Sequence, residues 1–160
     1  MKSLPRIVFV AYLLALLWLL LFKTSVDFAS VLADSHMRSL NFTFFAGHKS
    51  EMIENLIVFI PFGLLLSANF KKIVFWQKLI IIFVFSLAIE IFQYILAIGI
   101  SDITDILTNT LGGLAGLLMY KALQKNNAPS EKRDRIIAIA IVILLLCCLW
   151  LRFFVFRVRY

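Results

Sequence analysis

Residues Gly99 to Gly116 read GISDITDILTNTLGGLAG, and this stretch decides how the rest of the chain is read. Gly99 suits the position just past a helix end, and Ser101 suits the N-cap of the helix that follows. Asp102 and Asp105 fall in its first turn, where the helix dipole favours negative charge. Asp105, Asn109, Gly112 and Gly116 recur at helical spacing, so one face carries carboxylate and amide at one end and bare backbone at the other. The other side, with Ile103, Ile106, Leu107, Leu114 and Leu117, suits lipid or an apolar packing partner. Polar atoms in so apolar a helix are costly unless partnered. The sequence must therefore supply something to meet Asp105 and Asn109.

Composition fixes the class. The chain has 160 residues, 62% of them hydrophobic, against about 45–50% for a soluble domain. Mean hydropathy is +0.98. A net charge of +7 would point to nucleic acid in a soluble protein, but here basic helix ends that orient a membrane protein explain it, and no nucleic-acid partner is expected. One domain over residues 1–160 is expected. Cys147 and Cys148 are adjacent, cannot pair with each other and stand in no metal-ligand spacing.

Working outward, five apolar segments separate. The first, Ile7 to Phe22, has the flanks of a signal peptide but no small-residue cleavage pattern after it, so a retained membrane helix is expected. Met52 to Phe70 is the second, with Pro61 inside it unable to give an N–H to the Ile57 carbonyl; a kink or loosened turn is expected there. Trp76 to Ile98 is the third, the helix that follows Ser101 is the fourth, and Ile136 to Leu151 is the fifth. The expected fold is all-α, a polytopic bundle of about five transmembrane helices. Thr24 to Glu51 is a polar loop with aromatics, expected to lie on or dip into the membrane surface, and its His36 and His48 lack further ligands for a metal. Lys121 to Arg135 is expected to be a basic loop.

Placing the N-terminus in the cytoplasm puts ten basic residues inside and six outside, the arrangement the positive-inside rule prefers. The arginines Arg152, Arg157 and Arg159 dissent. Glu54, Asn55, Glu90, Gln93, Asp102, Asp105 and Asn109 then gather toward the outer face, with Arg38 and Asn41 on the loop of the same side. Glu90 lies eight positions before Ile98, about 12 Å into the membrane, and an intramembrane carboxylate is a functional-site hypothesis by default. Ser86, Glu90, Gln93 and Ala97 share a face of the third helix. The short third-to-fourth connection requires antiparallel neighbours, with Asn109 at nearly the depth of Glu90. These nine residues, with Arg38 as a lid cation, form the candidate pocket. No cofactor and no resident metal is expected.

Asn55 with Phe59-Ile60-Pro61-Phe62-Gly63, then Ser86, Glu90 and Gln93, then Asp102-Ile103-Thr104-Asp105 and Asn109-Thr110-Leu111-Gly112-Gly113 resemble the VanZ-like family from about Arg38 to Tyr120. The resemblance implies a multi-pass protein of the bacterial plasma membrane that lowers susceptibility to the glycopeptide antibiotic teicoplanin. It supplies no molecular mechanism. Two departures stand out: Asn41 is followed by Phe42, Thr43 and Phe44 without the proline that many relatives carry, and no Arg stands near Gly99.

Three functional classes follow from these residues. The pocket binds or shields an amphiphile, either a teicoplanin-type lipoglycopeptide or a lipid-linked envelope precursor, among the membrane lipids. Alternatively, close carboxylates share a proton or hold a divalent cation in an enzyme that modifies such a precursor. In the third class the polar groups only join helix to helix.

Overall fold

A computed structural model describes residues 3–21, 39–41, 49–96, 100–125 and 129–157. The described residues form α1 (Ser3–Leu21), β1 (Ser39–Asn41), α2 (Lys49–Asn69), α3 (Phe75–Leu96), β2 (Ile100–Asp102), α4 (Ile103–Gln124) and α5 (Ser130–Arg157). The architecture is five helices with one short parallel ladder, β1 beside β2. Two helices are long and apolar enough to cross a bilayer, over Ser50–Asn69 and Phe75–Ile95, and a shorter apolar helix covers Leu4–Leu20.

Large apolar side chains line the outside of the bundle. Ile7, Val10, Leu14 and Trp18 do so on α1, Ile80, Val84, Ile91 and Ile95 on α3, and Ile136, Ile139, Ile143 and Leu146 on α5. The interior holds Phe59, Phe62, Leu65 and Leu66 of α2, Tyr12 and Leu16 of α1, Ile82 and Ile89 of α3, and Leu117 of α4. Phe62 is the hub of its aromatic part, stacked on Phe9 at 6.2 Å and tilted against Phe85 at 5.0 Å between ring centroids.

The tightest helix pair is α2 with α4, and its geometry follows from glycine. A Cβ on Gly112 would collide with the Leu56 carbonyl, one on Gly116 with the Ile60 carbonyl, and one on Gly63 with the Gly113 carbonyl. Without side chains at these three points, the two backbones touch directly. The contacts advance together along both chains, so α2 and α4 run parallel. Leu117, expected opposite the glycine face against lipid or an apolar partner, is buried against a partner, with its backbone beside Gly63 on the glycine side.

Chain neighbours run antiparallel around this seam. The Tyr12 hydroxyl of α1 donates to the Val58 carbonyl of α2. Nearer the other end of the pair, Asn69 Nδ2 donates to the Pro5 carbonyl at 3.1 Å and to the Leu65 carbonyl at 2.8 Å. The helix ends carrying Arg6, Lys71 and Arg135 meet around one cavity, so the bundle has a cationic end and, opposite it, the end carrying Glu90 and Asp102.

Several boundaries differ from the sequence reading. α2 runs unbroken as a helix through Pro61. The expected basic loop from Lys121 to Arg135 is mostly helical, because α4 continues to Gln124 and α5 starts at Ser130. Pro129 explains that start: its carbonyl accepts from the amides of Lys132 and Arg133, and Glu131 occupies the first turn. The start of α4 is also one residue late. Asp102, not Ser101, is its N-cap, with φ −120° and ψ 125°, and its carboxylate accepts from the Thr104 amide. Pairing with β1 holds residues 100–102 extended and shifts the cap by one position.

Candidate functional site

The polar residues of α3 face α4 and the end of α1. Ser86, Glu90 and Gln93 are spaced four and three apart, so all three point inward on one stripe. Each meets a different partner. Ser86 Oγ accepts from Asn109 Nδ2 at 2.9 Å. Glu90 Oε2 accepts from the Asp102 amide at 3.1 Å. Gln93 Nε2 donates to the Leu20 carbonyl at 2.8 Å, which satisfies one of the open carbonyls in the last turn of α1. The stripe ties three segments together over about 10 Å of helix axis.

The carboxylate of Glu90 thus holds the N-cap residue Asp102 through its amide, while the Asp102 side chain caps α4. Glu90 is 6% exposed and lies within a wall of apolar helix faces. Beside it, β1 pairs with β2 in register Ser39–Ile100, Leu40–Ser101 and Asn41–Asp102. The polar loop therefore reaches the site through its backbone. Asn41 stands opposite the capping residue, and Arg38 lies outside the described residues, as do His36 and His48.

Asn109 sits one turn deeper than expected relative to Glu90. Its bond to Ser86 puts it level with a residue one turn before Glu90, about 6 Å away along the axis. The α2–α4 register then locates Asn55. Leu56 lies against Gly112, so Asn55 is within a turn of Asn109 in depth. Asn55 is 2% exposed and Asn109 1%. Glu54 does not join them; it is exposed on α2. Asp105 is half-buried, and its backbone carbonyl accepts from Thr108 Oγ1 at 3.2 Å.

Three amide atoms stand out, two of them in the layer of Asn55 and Asn109 and the third on Gln93, about 10 Å farther along α3. Asn55 Nδ2, Asn109 Oδ1 and Gln93 Oε1 are buried and have no hydrogen-bond partner among the described residues. Nearly all buried polar side-chain atoms in proteins have one, so a buried orphan needs an explanation. The set contains a donor and two acceptors. It is suited to a neutral polar or hydroxyl-bearing group, and Glu90 lies on α3 between its two levels. Among the described residues, no three His, Cys, Asp or Glu side chains stand together as a metal would need.

Two further contributors escape sequence reading. Thr104 and Thr108 are buried beside Asn109, and Thr108 Oγ1 also donates back to the Thr104 carbonyl at 3.0 Å. Their four-residue spacing next to Asn109 is the signal that marks them. The Leu20 carbonyl is a backbone group and leaves no trace in the side-chain pattern.

A family model described as VanZ/LLP1 matches residues 9–124. The chain is also 47% identical over 150 residues to Protein VanZ of Enterococcus faecium, an alignment that covers 92% of each chain. No solved structure matches it.

Proposed function

The chain belongs to the VanZ/LLP1 family, and from that premise we propose that it acts in the bacterial plasma membrane to lower susceptibility to teicoplanin. It does so through a polar pocket between α2, α3 and α4 that opens outward and holds the head of a lipid-linked or amphiphilic ligand. The observation that carries the reading is the trio of orphaned amide atoms on Asn55, Gln93 and Asn109, buried within an otherwise apolar bundle. A ligand with hydroxyl or amide groups completes their hydrogen bonds, and its acyl chain lies along the exposed apolar faces. Teicoplanin and lipid-linked envelope precursors both combine such a head with a hydrocarbon tail.

Expression in a teicoplanin-susceptible host tests this reading together with the ligand. The expected result is a rise in the inhibitory concentration of teicoplanin, and a retained amphiphile seen by native mass spectrometry of the detergent-purified protein. Unchanged susceptibility at a confirmed expression level would overturn it.

The same proposal requires all five helices to span the membrane, with the N-terminus and residues 126–130 in the cytoplasm and Tyr160 outside. The clustering of Arg6, Lys71, Lys72 and Arg135 at one end of the bundle supports that orientation. A fusion reporter that is active only in the cytoplasm should be active within residues 126–130 and silent after Tyr160. Activity at Tyr160 would rule out the topology.

A further inference from the structure

The cationic end of the bundle encloses a cavity of about 560 Å³ between the start of α1, the α2–α3 turn and the start of α5. Its volume lies within the usual range for small-ligand sites, about 300–1,000 Å³. Arg6, Lys71, Lys72 and Arg135 line it, against two acids, Glu131 and Asp134. Asp134 is already engaged. Lys71 Nζ is 2.5 Å from its Oδ2, the Tyr120 hydroxyl donates to its Oδ1 at 2.8 Å, and Arg133 Nε stands 3.9 Å from that same oxygen. Arg133 also lies over the Tyr120 ring at 5.1 Å. These contacts fix the cavity wall, and Glu131 is the second acid of the lining. Pro5, Ala68, Phe70 and Ile73 complete the lining with apolar surface.

We propose that this cavity binds an anionic phosphate group, separately from the polar pocket at the opposite end of the bundle. The chemistry is a phosphate held by a guanidinium fork and ammonium point charges beside an apolar wall. Two sources carry that group: the headgroup of an acidic phospholipid and a free phosphate. Basic pockets at the ends of membrane helices recognise the first through the headgroup alone, with the acyl chains left in the bilayer. The site stands on the cavity and its charges and does not depend on teicoplanin or on Glu90.

The experiment uses the full chain in nanodiscs of phosphatidylcholine, with and without phosphatidylglycerol. Native mass spectrometry counts retained phosphatidylglycerol, and a melting curve in pure phosphatidylcholine discs reports any stabilisation by added inorganic phosphate. The lipid source is supported if phosphatidylglycerol is retained over phosphatidylcholine. The soluble source is supported if millimolar phosphate raises the melting temperature without lipid selectivity. In either case Arg6→Gln with Lys72→Gln should weaken binding by roughly twenty-fivefold, about fivefold for each cation removed. The charge-preserving pair Arg6→Lys with Lys72→Arg should restore it. Should the double variant give no melting transition, Lys72→Gln alone replaces it. The proposal is overturned if the wild-type protein shows neither selectivity nor stabilisation, or if the neutralised variant binds as well as the wild type.

Discussion

Gly112→Leu should leave almost no folded protein to extract from the membrane, and Gly112→Ala should already cost about 3 kcal/mol or more. Overpacking a tight interior usually costs about 1–3 kcal/mol because neighbouring side chains can move aside. At Gly112 the neighbour is the Leu56 carbonyl, which is backbone and cannot rotate away. The α2 and α4 axes must separate instead, which also opens the contacts at Gly63 and Gly116. Gly113→Ala is the informative contrast. There a Cβ would meet the side chain of Ile82, which has rotamers to adjust, so the loss should be smaller. Leu114→Ala, at a half-buried position beside the seam, should be milder still. Melting temperatures of the four variants in one detergent check the order. Equal tolerance of Gly112→Leu and Leu114→Ala would mean that α2 and α4 do not meet there.

The double variant Glu90→Gln, Asp105→Asn should lose teicoplanin protection completely while melting close to the wild type. Both changes are nearly isosteric. Gln at position 90 still offers an oxygen to the Asp102 amide, and the bond from Thr108 to Asp105 uses the Asp105 backbone. The expected stability loss is therefore about 1 kcal/mol or less, the worth of an ordinary hydrogen bond. Function changes more because both carboxyl groups of the proposed site become amides, which can neither carry charge nor exchange a proton. Glu90→Leu separates the two effects. It removes the acceptor that Glu90 offers the Asp102 amide and should cost about 1–3 kcal/mol of stability as well. Resistance and melting temperature measured on the same preparations decide the matter. A stable double variant with full protection would refute the site, and parallel losses in both would mark the polar layer as helix-to-helix glue.

Much of this layer was legible from residue spacing. The stripe Ser86, Glu90, Gln93 and the face Asn109, Gly112, Gly116 are helical repeats, and helices expose such repeats directly to a reader of sequence. Their antiparallel apposition followed from the short connection between α3 and α4. The parallel pairing of α2 with α4 was not legible, because nothing in Gly63 alone says which distant backbone it meets. The ladder of Ser39–Asn41 with Ile100–Asp102 was equally hidden. Three residues per strand carry too little periodicity to register, and the pairing is made by backbone groups that every residue possesses. That hidden ladder also explains the displaced cap at Asp102. Glu54 was misplaced for another reason: it adjoins Asn55 in sequence, but neighbours on a helix point about 100° apart, so only one of them faces inward.

The glycine seam also constrains how the protein is made. α2 is synthesised before α3 and α4, yet its closest partner is α4. Until residues 112–117 are made, the α2 backbone at Leu56, Ile60 and Gly63 lacks the surface on which it packs. Assembly therefore cannot proceed as a string of hairpins, each complete when its second helix enters. On the proposed five-span topology, α4 inserts beside a helix two spans upstream. The tightest backbone contact of the bundle therefore forms only after residues 112–117 have been synthesised.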